Sequence, residues 1–345
     1  MTARRGRVVA IVLAAVLAAT TATTAIVIAT RGSDTVATIE GHAVSREELL
    51  FHMRRLAPTV QNALQVQFGE TGSAVDWSDE VDGEVALDRL RDAALAEIYA
   101  DKTLMILAQE NGLIDSVDYD AFRAELDAEN AARQSGVAAG ETVYGLTEFS
   151  ADEYYTHTLA ELRTGLLDAL GSAADSPIAV DEAEISAYYA EHAGDWQANA
   201  TTYRYSVLVV PAGSDPAATS SVVASAANLI AASALLPGSS VATATLGGEV
   251  PVGPSGHDQE ILAALSPLQP GQVSPATDAG GELTYYQLDA VSVDDALALQ
   301  TYSSRIEQTL LDEGLDALLD DRLDNDSVDE NDPVLHSITP EELSS

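Results

Sequence analysis

The feature that most constrains this chain is an uncharged run of 23 residues, Val8–Thr30, which follows Arg4, Arg5 and Arg7. A helix of that length spans roughly 34 Å, enough to cross the hydrocarbon core of a bilayer. Arginines ahead of such a run keep that end in the cytoplasm, so the rest of the chain is expected outside. We therefore predict a signal anchor over residues 1–31 and a single-pass protein of the cell membrane with an extracytoplasmic body.

Two other interpretations of this run remain open. A secretory signal cut around Ala22–Ala25 would release the body as a secreted protein. A buried cytoplasmic helix would leave the order of arginines and apolar residues without an explanation. The second apolar patch, Ala25–Ala29, extends the run beyond a usual signal core, and this length favours the retained anchor.

The composition of the chain excludes several function classes. Its 345 residues include 16 basic and 55 acidic residues, a formal net charge of -39, and no cysteine. Disulfides, thiolate zinc sites and cysteine nucleophiles are therefore excluded. Nucleic acid is not an expected partner, because binding phosphates requires clustered Lys and Arg. The acidic surface repels anionic lipid head groups and would attract cationic polypeptides.

The first part of the body, residues 32–175, has the pattern of a mainly helical domain. A short strand is predicted at Thr35–Ile39. Capping boxes at Ser45 and Ser150, each with Glu three residues later, begin two helices, and the first is predicted to end before Pro58. Together with apolar residues at helical spacing, these signals predict helices over 45–56, 85–109, 119–133 and 150–170.

In the second part of the body, the pattern of apolar residues changes from helical spacing to the alternation that is typical of strands. A linker helix within 176–200 is capped by Asp181 and Glu184. The segment 201–293 then predicts a β-α-α-β unit, because the alternating segment Tyr203–Val210 is rich in β-formers. Its elements are strands at 203–210 and 283–293, helices at 217–236 and 259–265, and a loop at 246–256. A long helix at 296–323 and a polar acidic tail complete the last segment, 294–345. The predicted fold class is α+β.

The order of these elements resembles a known architecture. VATIEGHAVSREELLFHMRRL and LDRLRDAALAEIYADKTLMILAQENGLI resemble the opening of SurA-like periplasmic chaperones. LGGEVPVG and LSPLQPGQVSPATDAGGELTYYQLDAV are similar to the loop and the closing strand of parvulin-type (PpiC-like) peptidyl-prolyl isomerases. The resemblance implies a chaperone domain followed by a parvulin-like domain, with Gly247, Gly248 and Glu249 in its pocket loop.

The chain departs from the parvulin pattern where that family carries its histidines. Ser206, or Tyr205 if the alignment slips by one, stands at the first-strand position, and Thr284 or Tyr285 stands in the closing strand. The domain also contains no Phe and no Met. Weakening a prolyl amide requires an apolar grip and polar groups that favour the twisted state. We therefore expect weak or absent isomerase activity, with Ser206 and Tyr285 as candidate replacements for the histidines.

Tyrosines are the candidate residues for binding client polypeptides. A tyrosine offers apolar area with a polar tip, which suits loose contact with unfolded segments. Core packing is the alternative that remains open for all of them. The candidates are Tyr188, Tyr189, Tyr203 and Tyr205 near the junction of the two parts, and Tyr154 and Tyr155 in the first part.

No motif predicts a metal, a cofactor or hydrolytic chemistry. The six histidines are scattered, and no two have metal-ligand spacing. Neither a Gly-x-Ser-x-Gly elbow nor a phosphate-binding glycine loop occurs. The acidic stretch DNDSVDENDP lacks the glycine and the distant glutamate of a calcium loop.

These features predict a membrane-anchored extracytoplasmic foldase or chaperone that holds exported polypeptides while they fold. A true prolyl isomerase with a divergent pocket is one alternative. A structural or adaptor protein of the cell envelope, built on the same scaffold, is the other. The expected partners are unfolded exported chains and, through the N-terminal helix, the membrane.

Overall fold

The structure is a computed structural model that describes residues 34–68, 76–173, 175–247, 256–325 and 327–344. The helices are α1 (Arg46–Phe68), α2 (Ala86–Glu110), α3 (Tyr119–Ala139), α4 (Ala151–Gly171), α5 (Glu182–Glu191), α6 (Ala193–Trp196), α7 (Pro216–Ser225), α8 (Leu229–Ser233), α9 (Gly256–Leu265), α10 (Asp295–Asn325) and α11 (Asp332–Leu335). The strands are β1 (Thr35–Ile39), β2 (His42–Ser45), β3 (Glu80–Val81), β4 (Glu84–Val85), β5 (Thr201–Val210), β6 (Ser240–Gly247), β7 (Thr277–Ala279), β8 (Glu282–Val293) and β9 (Val328–Glu330). The protein is thus a mixture of helix and sheet.

The chain forms two compact units. Unit 1 contains the residues up to Ala179 together with Leu311–Ser345, and unit 2 contains Val180–Leu310. The predicted anchor over residues 1–31 lies outside the described residues. Within the described ranges, no helix is both long enough and apolar enough to span a bilayer.

Unit 1 is built on helices α1 to α4 and a small antiparallel sheet of order β2-β1-β9. The predicted capping box at Ser45 is confirmed in part: its hydroxyl accepts the backbone N–H of Glu48 at 3.1 Å, while the Glu48 carboxylate pairs with Lys102. The predicted end before Pro58 is wrong, since α1 continues through this proline to Phe68. Proline removes one hydrogen bond and bends a helix, and packing of the flanking turns can carry the helix past it.

Strand β2 was not predicted, because the residues after β1 were assigned to a turn alone. Glu40 and Gly41 do form a turn, both with positive φ (47° and 87°). Two successive residues of that conformation make a tight hairpin turn. The chain then continues as β2, antiparallel to β1, with Ile39 opposite His42.

The acidic tail after residue 323 contains structure that the sequence did not predict. Strand β9 pairs with β1, placing Val328 opposite Ile39 and Glu330 opposite Ala37. Leu335 and Ile338 are buried in the main core of the unit. The tail is therefore part of the fold, and it joins the last residues of the unit to its first strand.

Unit 2 contains an antiparallel sheet of order β6-β5-β8-β7. Helices α7 and α8 cover one face around Leu208, and α9 covers the other around Leu288. The predicted helix over 217–236 is divided into α7 and α8, because Asn228 caps α8 by accepting the backbone N–H of Ala231 at 2.8 Å. The predicted loop at 246–256 is wrong at its start, where β6 continues to Gly247.

Candidate functional site

A cluster of polar side chains lies on the face of the unit 2 sheet that α8 covers. Thr243, Ser206 and Gln287 stand side by side on β6, β5 and β8. The pairing of β5 with β8 shifts register between Arg204 and Tyr205, and Asp289 is the extra residue on β8 at that point. Bulges of this kind redirect a side chain and often occur next to active sites. Here the Asp289 carboxylate comes within reach of Ser206.

Hydrogen bonds connect these side chains to one another and to α8. Ser206 Oγ donates to Asp289 Oδ2 at 2.8 Å, and Gln287 Nε2 donates to Asp289 Oδ1 at 3.1 Å. Gln287 Oε1 accepts the backbone N–H of Leu229, the first residue of α8, at 2.8 Å. Ser206 and Gln287 are both buried. These hydrogen bonds fix the polar cluster in place. The Ser206 hydroxyl proton is already donated to the Asp289 carboxylate.

A pocket of about 300 Å³ opens over this polar cluster. Its described lining contains no histidine, no aromatic residue and no methionine. The lining residues are Arg204, Ser206, Asn228, Leu229, Ile230, Thr243, Gln287 and Asp289. The pocket offers neutral hydrogen-bonding groups, one carboxylate and one guanidinium, with Leu229 and Ile230 as its large apolar side chains.

The structure does not bring the two candidate replacements for the family histidines into one pocket. Ser206 lines the pocket, but Tyr285 is buried in the apolar cluster around Leu208 and Val223. Its hydroxyl lies 2.9 Å from Ser220 Oγ. Tyr285 is thus a packed residue with a satisfied hydroxyl.

The pocket loop is described only at Gly247, because Gly248 and Glu249 lie outside the described residues. Gly247 ends β6 with a φ of 92°. A Cβ built on it would come within 2.1 Å of the carbonyl oxygen of Thr201. Only glycine fits there, so this residue has a structural reason to occur at the end of β6.

The four tyrosines near the junction are all within unit 2 and belong to two separate clusters. Tyr189 is buried, and its hydroxyl donates to Asp295 Oδ1 at 2.8 Å. Half-buried Tyr188 places its ring 4.4 Å from that of His192. Tyr203 and Tyr205 instead pack in the cluster that α9 forms on the sheet, where Tyr205 is buried. Their role in binding clients stays a prediction.

The two tyrosines of unit 1 differ in exposure. Tyr155 is buried in the main core, and its hydroxyl donates to Asp101 Oδ2 at 3.0 Å. Tyr154 is half-buried beside the rings of Phe122 and Phe149, at 5.8 Å and 5.6 Å. Tyr154 is therefore the more accessible of the two.

A buried polar network in unit 1 was missed by the sequence analysis. The ammonium of Lys102 lies 3.0 Å from Glu48 Oε1, and both side chains are buried. Lys102 is the only lysine of the chain. It follows Ile98 by four residues along the apolar stripe of α2, and this spacing was the signal for its burial.

His52, Glu97 and Asp101 form the one cluster in the described part of the chain with donor atoms close enough to hold a metal ion, within 4.8 Å of one another. These groups already bind their neighbours. His52 Nδ1 lies 2.8 Å from Glu97, which also accepts Arg55 Nη1 at 2.6 Å. Asp101 accepts the Tyr155 hydroxyl, and burial raises the pKa of Asp101 to about 6. Core hydrogen bonds thus occupy Glu97, Asp101 and His52 Nδ1, while the buried His52 Nε2 has no hydrogen-bond partner among the described residues.

Residues 180–301 match the family model described as the PPIC-type PPIASE domain. The chain is also 23% identical over 153 residues to the chaperone for lacto-N-biosidase from Bifidobacterium longum subsp. longum. That match covers 44% of this chain and 53% of the relative, so the chain spans about half the length of that protein.

Solved structures with similarity to this chain include two bacterial examples. One belongs to the SurA-like chaperones PEB4 and Cj1289 of Campylobacter jejuni, with 10% identity, 87% of this chain and 99% of that chain covered, and a TM-score of 0.28. The other is the foldase protein PrsA from Streptococcus pneumoniae, with 11% identity, coverage of 73% and 89%, and a TM-score of 0.22. The family assignment rests on the family model, and it concerns residues 180–301.

Proposed function

We propose that this chain, whose residues 180–301 belong to the PPIC-type peptidyl-prolyl isomerase family, is an extracytoplasmic chaperone that holds unfolded polypeptides with little or no prolyl isomerisation. The observation that carries the proposal is the family match combined with a pocket that lacks the family's histidines. The curated relative described as a chaperone supports the holding role.

The chemistry of the pocket supports weak or absent catalysis. The uncatalysed barrier for prolyl isomerisation is about 20 kcal/mol, and lowering it requires groups that bind the twisted amide better than the planar one. Ser206 Oγ already donates to Asp289, so this hydroxyl has no spare proton for a prolyl amide. Tyr285 is buried against Leu208 with its hydroxyl beside Ser220. Neither residue is free to take the role of a histidine.

The charge of the chain supports a holding role outside the cytoplasm. A net charge of -39 keeps a complex of chaperone and client soluble and repels a second complex. The arginines and the uncharged run before residue 31 favour an anchored body on the outer side of the membrane. Protease protection on intact cells tests this location, and a pool that resists external protease would contradict it.

A coupled isomerisation assay on the full-length protein tests the catalytic part of the proposal. We expect marginal acceleration with a Xaa-Pro peptide and the same rate in Ser206→Ala and Tyr285→Phe. Robust turnover that falls in Ser206→Ala would favour the alternative, an active isomerase with a divergent pocket. A protein that neither isomerises peptides nor binds any unfolded client would favour the adaptor alternative.

A further inference from the structure

Strand β6 is an edge strand with an open side. It pairs with β5 in unbroken register, from Val209 opposite Ser240 to Thr202 opposite Gly247. Among the described residues, no other strand lies beside it. Alternate residues of an antiparallel edge strand direct their N–H and C=O groups away from the sheet. A row of backbone donors and acceptors therefore remains available along β6.

Two other edge strands of the described chain, β7 and β9, are short and charged, and β6 is neither. Proteins block open edges with short strands, charges, prolines or bulges. Edge strand β7 has three residues and carries Asp278, and β9 has three residues and carries Asp329 and Glu330. Strand β6 has eight residues, SVATATLG, with neither charge nor proline. Such a strand is an unprotected template for pairing.

The surroundings of β6 are uncharged in an otherwise acidic unit. Residues 180–310 include fifteen acidic and two basic residues, yet none lies between Pro216 and Gly248. Two large apolar side chains of this neutral segment face solvent, Ile230 at 61% and Leu235 at 65% exposure. Ile230 also lines the pocket together with Thr243 of β6. Exposed apolar residues and an open strand edge thus occur in one neutral segment.

We propose that β6 binds an extended, apolar segment of an unfolded polypeptide by adding it as a further strand to the sheet. This inference rests on the proposed chaperone function and names the surface that performs it. Backbone hydrogen bonds would supply affinity without sequence preference, as in other strand-addition complexes. The apolar side chains of the segment would contact Ile230, and basic residues at its ends would be attracted by the acidic remainder of the unit.

A second copy of this chain does not fit the same edge. Each copy carries a net charge of -39, so two copies repel each other. A neutral or cationic client segment meets no such penalty. The uncharged segment within an acidic unit therefore favours binding of a neutral or cationic client over binding of a second copy of this chain.

Hydrogen–deuterium exchange with a defined probe tests the binding surface. The probe is a synthetic peptide of alternating Val and Thr with Lys at both ends, and its Glu-ended counterpart is the control peptide. We expect the Lys-ended peptide to slow exchange within Ser240–Gly247 and to leave Thr277–Ala279 unchanged. Protection confined to any other part of the chain would overturn the proposal.

A matched pair of substitutions separates this edge from other surfaces. Ala242→Lys places a charge on an exposed position of β6, and Thr277→Lys places the same charge on exposed β7. We expect Ala242→Lys to weaken the Lys-ended peptide roughly tenfold or more, and Thr277→Lys to change little. Equal effects in the two variants would overturn the proposal.

Two further measurements keep the inference distinct from the proposed function. If Ala242→Lys suppresses client aggregation as well as the wild type, the β6 surface is wrong while the chaperone function stands. If the wild type suppresses no aggregation, the proposed function itself fails. Sedimentation of the protein alone should show no self-association. A dimer that Ala242→Lys abolishes would identify a second copy as the occupant and overturn the proposal.

Discussion

Replacing the single lysine of the chain tests the core of unit 1 most sharply. Lys102 is 1% exposed, and its ammonium lies 3.0 Å from Glu48 Oε1 and donates to the carbonyl of Val117. Burial raises the pKa of Glu48, and the charge of Lys102 opposes that rise. Lys102→Met keeps the side-chain length and leaves Glu48 buried without its cation.

Removing one partner of a buried ion pair costs about 3–5 kcal/mol, because the remaining charge is desolvated and uncompensated. We expect Lys102→Met to lower the free energy of unfolding by that amount at neutral pH. The loss should shrink as the pH falls through about 4.3, the ordinary pKa of Glu, because below that pH Glu48 is neutral in both the folded and the unfolded state. Adding Glu48→Gln should restore a large part of the loss, since no buried charge remains.

Urea denaturation of the full-length protein provides the assay. The chain has two tryptophans, Trp77 in unit 1 and Trp196 in unit 2. A Trp196→Phe background therefore leaves fluorescence that reports on unit 1 alone. A loss below about 1 kcal/mol in Lys102→Met, or a double variant no more stable than the single one, would refute the reasoning.

Three other predictions concern single elements of the two units. Asp101→Asn should raise stability at pH 7 by up to about 3 kcal/mol, because burial raises the pKa of Asp101 from 3.8 to about 6. The free energy of unfolding of the wild type should fall by this amount as the pH rises from 3.8 to 6, whereas that of the variant should not. Urea titrations across this pH range measure the difference. Gly247→Ala should destabilise unit 2 by at least about 1–3 kcal/mol. The backbone there has a φ of 92°, and the new Cβ would collide with the Thr201 carbonyl oxygen. Thermal melting followed by Trp196 fluorescence measures this loss. Deleting residues 327–345 should lower the melting temperature of unit 1, because β9 and two buried side chains are lost, and an unchanged Trp77 transition would contradict it.

Local sequence signals predicted where the helices of both units begin better than where they end. The capping boxes at Ser150 and Asp181 are both present, with the paired Glu153 and Glu184 bonding back to the chain. Such boxes depend on residues three apart, so their geometry follows from nearby sequence. Strand β5 was likewise predicted from its own alternation of apolar residues.

Contacts between distant parts of the chain could not be predicted in the same way. The pairing of β9 with β1 joins residues almost the whole chain apart, and nothing in the acidic tail indicates its partner. Strand β6 was missed because its residues are small and half-exposed, so its alternation carries little hydrophobic contrast. Edge strands of this composition have a weak sequence signal.

The candidate site was predicted in part. Ser206 was selected from its position relative to the family histidine, and it does line the pocket. Asp289 was missed because it is the extra residue at a register shift in β8. Gln287 lies in regular register opposite Ser206, and it was missed because the pairing of β5 with β8 joins residues far apart in the sequence. Tyr285 was selected by the same reasoning as Ser206, but packing against Leu208 removes it from the pocket.

Refolding of a client whose slow phase is limited by prolyl isomerisation tests the central claim most directly. One experiment reports both activities, since the final yield measures holding and the slow rate constant measures isomerisation. We predict that the full-length protein raises the yield of folded client and leaves the slow rate constant unchanged. A faster slow phase would identify an isomerase, and an unchanged yield would contradict the chaperone function.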